Sequence, residues 1–85
     1  MSLMPNKLKD LSGKDIVKFL ERNGFSVYKI RGSHCKMRRF VSGRDQTLMI
    51  PMHSSIAKGT LHDIYSQISE YLPESLEVKK FFFTE

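Results

Sequence analysis

The chain has a single cysteine, Cys35, in 85 residues. No internal disulfide can form, which is compatible with a reducing compartment, and a metal cluster is left short of thiolates. No apolar run approaches the roughly 18 residues of a membrane span, and the first residues lack the apolar core of a secretory signal. The expectation is a soluble cytoplasmic protein without membrane association, and Met1-Ser2-Leu3 are left out of the fold argument. Internal repeats, low-complexity stretches and long linkers are also missing, so one domain is expected over residues 1–85, with a core at about 11–72 and a C-terminal tail at 73–85. At this length only a little over about 60% of the unfolded surface is buried, which argues against a large internal cavity. Acidic residues are scarce as well: 9 Asp and Glu against 14 Lys and Arg leave a net charge of +5. Such a balance favours a polyanionic partner such as nucleic acid, although an anionic membrane surface attracts basic proteins too.

What is present alternates between helical and strand periodicity. Ser12 with Asp15 three residues on reads as a capping box, and Ile16, Phe19 and Leu20 form a helical stripe widened by Val17. Asn23-Gly24 supplies the stop, which predicts a helix over about 13–23. Residues 25–31 and 34–41 are rich in aromatic and β-branched side chains around the turn-prone Gly32-Ser33, and they read as a hairpin. A second turn over 42–45 leads to a third strand over 46–52, which Pro51 should end or confine to an edge. Thr60 with Asp63 repeats the capping-box pattern, and Leu61, Ile64, Ile68 and Leu72 carry a second helix to about Tyr71. The tail after Pro73 fits a short helix or irregular packing, and Phe81-Phe82-Phe83 reads as core or interface because three exposed rings would form an unusual patch. The fold class expected is α+β: a three-stranded antiparallel sheet with two helices on one face.

The chemistry concentrates at Gly32-Ser33-His34, where an imidazole stands among cations. Histidine alone has an ordinary pKa, about 6.5, that lets it both take and give a proton near neutral pH, as RNA phosphodiester cleavage requires. Strand alternation puts His34, Lys36 and Arg38 on one face and Cys35, Met37 and Val41 on the other, under the helices. In this reading His34 draws the proton from a ribose 2′-hydroxyl while Lys36 or Arg38 offsets phosphate charge. The plain alternative is a histidine that only caps the hairpin. His53, after Pro51, is either a complementary acid or an imidazole bonded to its own loop, and His62 reads as a surface residue. A zinc site is disfavoured, since residues 34 and 35 point to opposite faces and finger-like spacing is missing. Cys35 reads as a small buried hydrophobe. Lys29, Arg31, Lys36, Arg38, Arg39 and Arg44 crowd the hairpins, and Lys14, Lys18 and Arg22 recur every four residues on the first helix. Cations of this kind hold phosphates without reading sequence, or simply form a solvated face. Tyr28 either stacks on an unpaired base or packs against the sheet.

In order and spacing, Ser12-Gly13-Lys14, Asn23-Gly24-Phe25, Gly32-Ser33-His34, Ile50-Pro51-Met52-His53 and Lys58-Gly59-Thr60-Leu61 resemble the HicA toxins of bacterial toxin-antitoxin systems. The resemblance runs from about Leu11 to Ile68, and residues 73–85 extend past the usual finish of that family. It implies a double-stranded-RNA-binding-like fold, an mRNA endoribonuclease activity that arrests translation, and neutralisation by a HicB-type antitoxin. His34 falls where the family's catalytic histidine stands, Gly32 and Ser33 match the preceding turn, and His53 matches a second recurrent histidine. The candidate set is therefore His34 for catalysis with His53 as a second member, and Ser33, Lys36, Arg38, Lys29 and Lys14 for RNA binding. No metal or other cofactor is expected, since no carboxylate cluster suits magnesium. The rival readings are a noncatalytic RNA-binding module and a basic protein-interaction domain.

Overall fold

The computed structural model describes residues 7–73 and 76–84. Its elements run α1 (Gly13–Arg22), β1 (Ser26–Arg31), β2 (His34–Val41), β3 (Arg44–Pro51), α2 (Lys58–Tyr71) and α3 (Leu76–Phe82). The expected capping box opens α1. The Asp15 amide donates to Ser12 Oγ at 3.0 Å, and the Ser12 amide donates to Asp15 Oδ2 at 3.0 Å. These bonds stabilise the ionised carboxylate and hold Asp15 below its usual pKa, the backbone donor of Ser12 contributing most. Asn23 caps the other end, its side-chain amide donating to the Phe19 carbonyl at 2.9 Å, and Gly24 turns the chain away at φ 89°.

The three strands form one antiparallel sheet in the order β1-β2-β3. Gly32, at φ 58°, makes the first hairpin turn, with Arg31 opposite His34. The second turn is tighter than the four residues expected. Ser42 and Gly43 take φ of 51° and 78°, the left-handed pair whose twist suits a two-residue hairpin, so Val41 pairs directly with Arg44 and β3 begins two residues early. It ends at Pro51, on an edge strand, as proline requires.

Cys35, Met37, Leu48 and Ile50 bury the helix-side face of the sheet against Ile16, Phe19, Leu20, Leu61, Ile64 and Ile68. Val41 departs from the expected burial: it sits beside the Ser42-Gly43 tip of the second hairpin and stays 37% exposed. The second capping box is absent too. Ala57, not Thr60, is the N-cap of α2, and it makes no side-chain cap bond. Tertiary ties decide this start, because buried Ile56 donates its amide to the Leu11 carbonyl at 3.0 Å. Lys58 adds its ammonium to the carbonyls of Leu8 and Lys9, each at 3.0 Å, and to Asp10 at 2.7 Å.

The tail is helical and joins the core. Val78 and Phe82 of α3 are buried, Phe81 stacks on Phe19 with centroids 4.2 Å apart, and Phe83 bridges to Leu8. Truncating a buried Phe to Ala typically costs about 3–5 kcal/mol, so Phe82 makes this short helix a stabilising part of the domain.

Candidate functional site

Three chain segments that are distant in sequence meet beside His34. The Met52 amide donates to the Ser33 carbonyl at 2.6 Å, which ties the turn before His34 to the exit of β3. The Gly13 amide donates to the His53 carbonyl at 3.0 Å, which ties that exit to the start of α1. Glycine is needed there, since a Cβ at position 13 would lie 2.8 Å from Met52 Cα and closer still to the Pro51 carbonyl oxygen. The result is a corner in which His34 and His53 line one concavity of about 440 Å³ together with Met49, Pro51, Ile56, Ala57 and Thr60. His34 and Met49 also border a second concavity, of about 130 Å³, lined by Lys29, Arg31 and Lys36. One exposed imidazole thus forms the shared wall between a basic hollow and a hollow holding another histidine.

The electrostatics follow from the register. Lys29 lies opposite Lys36 and Arg31 opposite His34, so these four side chains share the sheet face away from the core. Like charges directly across a ladder are unfavourable, and an anion between Lys29 and Lys36 would relieve that repulsion. Arg38, on the same face, lies over the Tyr28 ring at 4.1 Å from its centroid. Among the described residues whose register puts them on this face, Asp45, paired with Phe40 at the far end, is the one carboxylate.

The structure therefore brings together His34, His53, Lys29 and Lys36, with Ser33 held through its backbone carbonyl. Arg38 belongs to the same face beyond the basic hollow. Lys14 is exposed on the first turn of α1, next to Gly13, but lines neither hollow. Arg22 lines a different groove, with Phe19, Asn23, Glu77, Lys80 and Phe81.

Arg39 differs from the other hairpin cations. It donates to Gln46 Oε1 at 2.9 and 2.6 Å, to the Asn23 carbonyl at 3.1 Å and to the Tyr71 carbonyl at 3.2 Å, and it covers the Phe25 ring. It thus satisfies orphan carbonyls at the C-terminal ends of α1 and α2, where a cation also suits the helix dipoles. The alternation that buries Cys35 and Met37 could have marked it, because position 39 falls on their side. Gly13 was the other residue whose role the sequence left unread; only its place in a recurring motif singled it out. Cys35 is buried, and burial, helped by the charge of Glu21, pushes its thiol pKa up, which disfavours the reactive thiolate. Among the described residues, no group of three His, Cys, Asp or Glu side chains is placed to hold a metal ion, and no helix is long and apolar enough to cross a membrane.

No curated protein and no solved structure matches this chain. The family described as HicA toxin of bacterial toxin-antitoxin matches residues 13–69. That span holds both histidines, the Lys29–Lys36 pair and the Gly13 junction, and it covers more than half of the chain, which is therefore a member of the HicA toxin family of bacterial toxin-antitoxin systems.

Proposed function

We propose that this toxin is a metal-independent endoribonuclease that cleaves mRNA in the cytoplasm and is neutralised by a HicB-type antitoxin. The observation that carries the reading is the position of His34 as the wall between the Lys29-Arg31-Lys36 hollow and the hollow containing His53. His34 takes the proton from a ribose 2′-hydroxyl as that oxygen attacks the adjacent phosphorus. Lys29 and Lys36 offset the charge gathering on the phosphoryl oxygens, and His53 donates a proton to the departing 5′-oxygen. Ser33 orients the turn that carries His34, while Arg38 and Lys14 supply outlying phosphate contacts.

The reading is tested by incubating RNA with the purified chain in EDTA beside its His34→Ala variant. The wild-type chain cleaves without divalent ions, and His34→Ala loses about 10²–10⁴ in rate while keeping its fold and its RNA affinity. Cleavage that vanishes in EDTA and returns with a divalent ion would falsify the acid-base scheme. A folded His34→Ala protein that cleaves at the wild-type rate removes His34 from the chemistry. RNA left intact by the wild-type chain in a long incubation favours a noncatalytic RNA-binding module.

A further inference from the structure

We infer that Tyr28 is a stacking platform for an unpaired base, which makes the substrate a single strand laid across the open face of the sheet; this rests on the reading of the His34 face as the RNA site. Tyr28 sits in a break of the β1-β2 ladder. The register passes from Val27 opposite Met37 to Lys29 opposite Lys36, and Tyr28 is left without a cross-strand partner. A bulge of this kind re-aims a side chain. Here it puts the ring among the open-face cations, with the Arg38 guanidinium 4.1 Å and the Lys36 ammonium 6.0 Å from its centroid.

The packing alternative for Tyr28 does not hold. The residue is 49% exposed and has no part in the hydrophobic core. Arg38 steadies the ring by cation-π attraction and still leaves it open to solvent. A held aromatic ring flanked by cations is the arrangement that binds single strands: the ring takes the face of a base and the cations take the phosphates on either side. Bases inside an A-form duplex have their faces covered by their neighbours and cannot reach it. Phe40 is more exposed, at 70%, but it shares its end of the face with Asp45, whose charge repels a phosphate backbone. From His34 to Lys36 and Arg38 is on the order of 7–13 Å along the strand, so the stacked base is a near neighbour of the phosphate at His34.

The chain lacks tryptophan, so Tyr28→Trp introduces a single reporter. In a His34→Ala background, which separates binding from cleavage, that variant is titrated with a mixed-sequence 12-nucleotide RNA and with the same RNA annealed to its complement. The single strand should quench the indole emission and the duplex should not. Tyr28→Ala should weaken single-strand binding about 5- to 100-fold, and Tyr28→Phe should restore it. Equal affinity of the Tyr28→Ala and parent proteins, with unchanged melting, overturns the platform, as does a duplex bound as tightly as the single strand. If the wild-type chain leaves RNA intact while binding depends on the ring, the platform stands and the cleavage reading falls. Binding of neither RNA overturns both.

Discussion

The Gly13 amide donates to the His53 carbonyl at 3.0 Å, so the first residue of α1 fixes the loop that carries the second histidine. The contact is possible only because position 13 has no side chain: a Cβ there would press on the backbone of Pro51 and Met52. Backbone cannot swing aside as a side-chain tip can.

Gly13→Ala should therefore destabilise the protein by about 1–3 kcal/mol through overpacking, although alanine favours helix more than glycine does. Denaturant unfolding checks this, and a midpoint equal to or above wild type would show that the junction yields freely.

If His53 is the proton donor to the leaving oxygen, RNA cleavage should rise and then fall with pH. The acid limb comes from a base that must be deprotonated and the alkaline limb from an acid that must be protonated. His53→Ala should lower the rate about 10²–10⁴-fold and abolish the alkaline limb alone. A rate profile that keeps both limbs in that variant would reduce His53 to a loop residue.

Lys36 and Arg38 lie on the open face and are expected to meet phosphates. Replacing both with Ala should weaken RNA binding and reduce the slope of log affinity against log salt by about two, one for each lost phosphate contact. Titrations at several salt concentrations decide it; an unchanged slope in a folded variant would mean that the RNA runs elsewhere.

Arg39 is a structural cation, tied to Gln46, Asn23 and Tyr71. Arg39→Met keeps the apolar stem and deletes the fork, and should cost about 1.5–3 kcal/mol. Arg44→Ala, at an exposed position, should stay within about 0.5 kcal/mol. Equal unfolding midpoints for the two variants would contradict the distinction.

Much of this protein was determined by sequence alone. The Ser12-Asp15 box opened α1, Asn23-Gly24 closed it, and alternation along β2 buried Cys35 and Met37 while leaving His34 exposed, because these features depend on neighbours within a few residues. Family membership was legible for a related reason, since short motifs kept their order and spacing. What depends on distant backbone was not legible. Thr60 and Asp63 have the right residue types for a cap, yet α2 begins at Lys58 because Ile56 and Lys58 are tied to residues 8–11 nearly fifty positions away. The second turn shortened to Ser42-Gly43 because strand twist favours the left-handed pair. Local spacing likewise says nothing of the distance from His34 to His53. Tertiary structure put them in one hollow through two amide-carbonyl bonds, Met52 to Ser33 and Gly13 to His53, each joining segments with no neighbours in common along the chain.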